Sequence, residues 1–207
     1  MTKISTAGRA TDLSTQNNSL NGENKSQKTK RAPDRWRKLV IYICVFAMLG
    51  ALMFSSKKIM EILPNIHLLG MFTMVLTLTF RWKALIPIYV YVFLDGLFSG
   101  FSVWWWPYLY IWAILWAITM ILPKRMPRWL CLAIYPTVCA LHGFAFGILY
   151  APAQAMFFGL NFEETIIWIS SGAVFDTIHG ISNFASGLLV VPFSGLLIKL
   201  SKKQGLI

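Results

Sequence analysis

Aspartate, histidine and asparagine stand at Asp176, His179 and Asn183 within "FDTIHGISNF", inside a run that is otherwise apolar and small. Their i, i+3, i+7 spacing sets them within about 60° of one helix face. Gly172, Gly180 and Gly187 share that side. Ionisable groups inside a bilayer are costly, and such positions mark functional sites by default. One chemistry open to them is hydrogen bonding to a small solute. A second is metal ligation, since Asp176 and His179 lie one turn apart and His142 or Asp95 could complete a ligand set. No HExxH or paired carboxylate–histidine repeat supports a metal, so none is assigned. A third is intramembrane hydrolysis through Asp95 and Asp176. The plain alternative is that the glycines allow close helix packing while the polar groups bond across the contact. That alternative leaves unexplained why the polar groups stop in the outer half.

Depth brings further residues into the same level. At a rise of about 1.5 Å per residue, Asp95, His142 and Asp176 each lie roughly 9–12 Å inward from the outer end of their spans. Trp104, Trp105, Trp106, Tyr108, Tyr150 and Phe175 are available near that level. The expectation is a polar pocket open to the outside, capped by Ala151–Ser170 and suited to a flat, nitrogen-containing ring. Its contacts are expected from Asp176, His179 and Asn183, aided by His142 and Gln154, with stacking from Trp104, Trp105 and Trp106. Tryptophan also gathers at membrane interfaces for its amphipathic ring alone, so an anchoring role for those three stays open.

The elements that position these residues follow from hydropathy. Of 207 residues, 57% are hydrophobic and 13% charged, which points to a membrane protein. The formal charge of +11 does not indicate nucleic acid, because the basic residues sit at the ends of apolar runs. Cys44, Cys131 and Cys139 fall in apolar segments without ligand spacing and read as inert thiols. Residues 1–33 are rich in Ser, Thr, Asn, Gln and Lys and are expected to form a disordered cytoplasmic tail. The remainder, residues 34–207, reads as one all-α transmembrane domain for solute binding.

Six spans are expected, at about twenty apolar residues each: Lys38–Phe54, Ile66–Phe80, Ala84–Phe101, Trp104–Leu122, Trp129–Tyr150 and Ser171–Leu200. Basic residues set their direction. With the amino terminus inside, inner segments carry Arg31, Arg35, Arg37 and Lys38, then Arg81 and Lys83, then Lys124, Arg125 and Arg128, then Lys199, Lys202 and Lys203. The outer loops carry only Lys57 and Lys58. Both termini are therefore expected in the cytoplasm, with the chain in the cell membrane. No GxxxxGK[ST] occurs, so energy for any uphill movement would come from an ion or a partner.

Three local features carry a resemblance. "AMLGA", Ala47 to Ala51, places an Ala-xxx-Ala on the first helix. "LPNIHLLG", Leu63 to Gly70, forms the turn into the second. The polar pattern on the last three helices is the third. Together they make Val40–Lys203 resemble the substrate-binding (S) component of an energy-coupling factor (ECF) transporter. The resemblance implies a vitamin or vitamin-like substrate, taken up without enzymatic conversion and without a cofactor. It implies partners: a transmembrane coupling (T) component packed against Ala47 and Ala51, and two cytoplasmic ATPases. It also implies a site in the outer halves of helices four to six with the first outer loop. Cobalt- and nickel-specific relatives use a histidine after the initiator methionine, whereas Thr2 stands here, so a metal substrate is not implied. A structural or regulatory membrane protein and an intramembrane metal-dependent enzyme remain as alternatives.

Overall fold

The computed structural model describes residues 35–63, 65–123 and 125–207. The expected tail, Pro64 of the "LPNIHLLG" turn and Lys124 of an inner basic cluster lie outside the described residues. The described residues contain helices and turns and no strand. Internal contacts divide the chain into Met1–Cys44 and Val45–Ile207. The described part of the first unit is the start of helix α1 (Arg35–Met60), where Trp36, Leu39, Val40 and Ile43 are exposed.

In the second unit follow α2 (Leu69–Phe80), a 3-10 turn (Arg81–Ala84), α3 (Leu85–Ser99), a 3-10 turn (Val103–Trp105), α4 (Tyr108–Ile121), α5 (Arg128–Phe144), α6 (Phe146–Phe158), α7 (Phe162–Gly187) and α8 (Val190–Lys203). Four segments are long and apolar enough to cross a membrane: Arg35–Met60, Leu69–Ser99, Val103–Ile121 and Arg128–Phe158. The pair α7–α8, bent by 50°, makes a fifth if taken as one span. This is the architecture of a multi-pass helical membrane protein.

The core gathers Met71, Met74 and Val75 of α2, Leu115 of α4, Tyr135 and Cys139 of α5, and Val190 of α8. Within the second unit α1 buries Phe46, Gly50 and Met53, an i, i+4, i+7 row. Phe46 meets Phe80 edge-on at 5.0 Å, and Phe54 meets Phe98 at 5.0 Å.

Three boundaries differ from the hydropathy reading, each for a local reason. First, α1 runs on to Met60, so Lys57 and Lys58 are helical rather than in a loop. Second, Ala151–Ser170 is a helical hairpin. Gly159, in the left-handed region at φ 67°, ends α6. Asn161 then opens α7 with a capping box: its side chain accepts from the Glu164 N–H at 3.0 Å, and its own N–H donates to Glu164 Oε2 at 2.8 Å. Third, the last expected span begins nine residues early by this cap and breaks at Leu188–Leu189. Pro192 explains the break, since its ring would collide with the Leu188 carbonyl four residues back in a continuous helix.

Helices α5 and α7 form the most intimate pair. A Cβ on Gly143 would stand 2.8 Å from the His179 carbonyl oxygen and 2.9 Å from Gly180 Cα, and one on Gly187 2.6 Å from Pro136 Cα. Only glycine permits this approach. Gly172, by contrast, has open space around it, so the small-residue stripe of α7 is used in its second half alone.

Candidate functional site

All three histidines of the chain gather in one aromatic cluster. His67 comes from the turn before α2, His142 from the last turn of α5 and His179 from the middle of α7. The His67 and His179 rings meet edge-on with centroids 4.5 Å apart. Phe146 lies 4.6 Å from His179. Trp112 of α4 is the hub, with His67 at 5.9 Å, His142 at 5.8 Å, Tyr108 at 5.9 Å and Tyr91 at 6.1 Å.

Beside this cluster opens a cleft of about 170 Å³. Lys57, Glu61, Asn65, His67, Tyr108, Phe146 and His179 contribute to its lining. The turn that delivers His67 is shaped by Asn65, which adopts φ 61°, a left-handed conformation asparagine tolerates. Ser182 on α7 donates to the Asn65 carbonyl at 3.1 Å and so holds this turn against α7.

The cleft carries one cation with its counter-charge. Lys57 Nζ pairs with Asp95 Oδ2 at 2.5 Å, and the Asp95 side chain has no exposed surface. The same ammonium lies 5.4 Å from the Trp104 ring centroid and 5.0 Å from that of Tyr108, within cation–π range. Farther out, Lys58 pairs with Glu61 at 3.1 Å.

Several buried polar atoms here make no hydrogen bond: His67 Nδ1, His179 Nε2, His142 Nδ1, Trp112 Nε1, Tyr91 Oη and Asp95 Oδ1. A folded protein leaves few such atoms unpaired, and each costs about 1–3 kcal/mol. His142 is fixed by its other nitrogen, since Nε2–H donates to the Ile111 carbonyl at 3.1 Å. Burial, reinforced by His179 and Lys57, pushes the His67 imidazole well below its ordinary range, so it stands neutral at physiological pH.

No protein-family model, curated protein or solved structure matches the chain. The site is therefore read from its own geometry. Among the described residues no group of three His, Cys, Asp or Glu side chains is placed to hold a metal ion.

The expected site residues separate by level. His179 lines the cleft, and His142 sits behind it against Trp112. Asp176 lies one turn beyond, where Oδ1 accepts from the Gly147 N–H at 3.0 Å. That N–H belongs to the first turn of α6, so Asp176 ties α7 to the start of that helix. Asn183 sits in the α5–α7 seam, its Nδ2 at 2.8 Å from a Cβ built on Gly143 and 3.3 Å from one on Gly70.

The three tryptophans also part. Trp104 faces Lys57 and Tyr108, and its carbonyl accepts from the Tyr150 hydroxyl at 2.9 Å. Trp105 turns to α3, donating to the Val92 carbonyl at 2.8 Å and packing on Phe101. Trp106 is half exposed and meets Phe157 at 6.0 Å. Gln154 is half-buried on α6, one turn past Tyr150, and does not line the cleft. Asp95, His142 and Asp176 thus have three different partners rather than one shared pocket.

The sequence reading set Asp95 and Tyr108 at the level of the pocket without making them contacts, and it did not assign His67 or Lys57 to the site. A signal existed for each. An intramembrane aspartate needs a counter-charge, and Lys57 and Lys58 are the basic residues that the sequence reading set in the outer loops. His67 is one of only three histidines and follows a Pro-Asn turn.

Proposed function

We propose that this chain is the solute-binding subunit of a membrane importer of the ECF kind, capturing a vitamin-like molecule from outside without transforming it. The observation that carries the reading is the set of unpartnered buried polar atoms beside an open, aromatic-walled cleft. A bound solute that meets them recovers the cost of leaving them unpaired.

Six crossings of the cell membrane with both termini cytoplasmic fit this role, and side-chain contacts support them. Trp112 near the start of α4 meets His67, just before α2, and Tyr91 on α3. Trp116, a turn later, donates to the Arg81 carbonyl, and Arg81 donates to the Met120 carbonyl. The chain would thus descend through α2, reverse at Arg81–Ala84 and return through α3. Arg81 favours the reversal with φ 56°, away from helical values. On that topology the cleft faces outward at the end of α1, and the basic clusters face inward.

Ala47 is exposed and Ala51 half-buried on α1, away from the Phe46, Gly50 and Met53 row. Small residues there suit a helix of a T component, with two ATPases supplying the energy.

The test is thermal unfolding of the purified full chain against a panel of vitamins and planar heterocycles. At least one compound should raise the melting temperature in a concentration-dependent way. No shift across the panel overturns solute binding. Tagged chain should also co-purify with a T component and paired ATPases; their absence would remove the ECF assignment while leaving solute binding in place.

A further inference from the structure

The polar atoms at the wall of the cleft specify what part of a solute they meet. Lys57 is already neutralised by Asp95, and Glu61 at the rim by Lys58. His67 is held neutral by burial and by the positive charge nearby. The chamber therefore offers no uncompensated charge, and a charged group placed in it would lose its hydration without gaining a counter-ion.

What the wall does offer is two ring nitrogens, His67 Nδ1 and His179 Nε2, both buried and both without a partner. His179 is 3% exposed. The two rings meet edge-on at 4.5 Å between centroids, and both residues line the same cleft. A neutral imidazole carries one donor and one acceptor nitrogen. Two such rings side by side can therefore present a donor next to an acceptor. Phe146, against His179, and Tyr108 add aromatic surface to the same lining.

We propose that His67 and His179 read the cis-amide edge of an uncharged planar heterocycle, a lactam, imide or ureide in which N–H adjoins C=O. One imidazole accepts from the ring N–H and the other donates to the carbonyl. The inference rests on the solute-binding reading above and narrows it from any flat nitrogen heterocycle to one class. It assigns His67 as a specificity residue and leaves Asp176 outside the recognition edge.

The experiment compares lumazine, a planar bicycle with imide edges, with 1,3-dimethyllumazine, which keeps the ring and the carbonyls but lacks the N–H groups. Binding to the full chain in detergent or nanodiscs is read by calorimetry and by melting temperature. Lumazine should bind at least tenfold more tightly than its dimethyl analogue, and His67→Ala and His179→Ala should each erase that preference. Should His179→Ala fail to fold, His67→Ala and the pair of probes on the unaltered chain still decide the matter.

Equal affinity for the two probes overturns the edge assignment while solute binding stands. So does a panel in which other planar rings bind and neither lumazine does. A preference for lumazine that survives His67→Ala removes His67 from the edge and overturns the paired arrangement. If no compound of any class binds, the solute-binding reading fails, and the edge assignment fails with it.

Discussion

One helix, α7, serves two regions built on opposite terms. Along its second half it lies against α5 so closely that a Cβ on Gly180 would meet the Phe144 ring at 2.5 Å and one on Gly187 the Pro136 backbone at 2.6 Å. A few residues earlier, at His179, the same helix faces a cleft with buried polar atoms left unpaired. The seam is closed by close helix contact, whereas the cleft is open space walled by aromatic rings. In a membrane, where apolar side chains gain little from leaving lipid, shape in the seam has to hold the polar groups of the cleft in place.

The largest effect should come from the cleft's ion pair. Lys57→Met leaves the fully buried Asp95 carboxylate without its cation, a loss of about 3–5 kcal/mol for a buried pair broken on one side. The check is chemical or thermal unfolding of the single variant and of Lys57→Met with Asp95→Asn. The double change should recover most of the loss. A single variant as stable as the parent would mean that the pair carries no structural weight.

Next is the seam. Gly143→Ala drives a methyl group to 2.8 Å from the His179 carbonyl, a backbone atom that cannot turn aside. Overpacking of this kind costs about 1–3 kcal/mol. Gly172→Ala, on the first half of α7 rather than on α5 against its second half, meets nothing within 4 Å and should instead stabilise by up to about 1 kcal/mol through helix propensity. Equal effects of the two substitutions would erase the distinction between the halves of α7.

Asp176 sharpens the border between the regions. Asp176→Ala removes the carboxylate that accepts from the first turn of α6 and should cost about 0.5–2 kcal/mol, as for an acceptor lost at a helix N-terminus, with or without solute. Asp176→Asn keeps an oxygen acceptor and should recover most of it. A variant that unfolds normally but loses tenfold in solute affinity would return Asp176 to the cleft.

Acid probes the cleft more gently. His67 has its imidazole pushed below the ordinary value, so its neutral form favours the folded state. That contribution is fully present above the unfolded value of about 6.5 and is lost as pH falls from there toward the lower folded value. Melting temperature should therefore drop between pH 7.5 and 5, and His67→Gln should flatten part of the slope. An identical slope in the variant would show that His67 does not titrate in that window.

Much of this division was legible in the sequence, and the part that was not has a physical cause. The period of α7 set Asp176, His179 and Asn183 on one face. Over the roughly 10 Å that seven residues rise, however, the surroundings change: Asp176 meets α6, His179 meets Phe146 of α6 and His67 of the turn before α2, and Asn183 meets α5 and α2. Periodicity gives direction but not depth partners. Hydropathy found the apolar segments, yet it missed the α6–α7 turn. Apolar content continues through Met156, Phe157 and Phe158, and the stop is written instead in Gly159 and the Asn161–Glu164 capping box. His67 escaped because a turn has no period to read, although Asn65 beside it was a signal for an unusual backbone.

The smallest effect is expected where neither region is touched. Ala47 and Ala51 lie on α1 away from its buried row, with Ala47 exposed and Ala51 half-buried. A surface change without buried contacts usually stays within about 0.5 kcal/mol. Replacing both with tryptophan should leave the melting temperature and the solute-induced shift of the isolated chain unchanged. The same change should abolish co-purification with a T component, because two indoles cannot fit where helices approach over small residues. Loss of solute binding in the double variant would place this face of α1 in the service of the cleft rather than of a partner. Intact co-purification would show that the coupling surface lies on another helix, and the exposed apolar row of Met48, Leu52 and Ile59 on α1 would be the next to test.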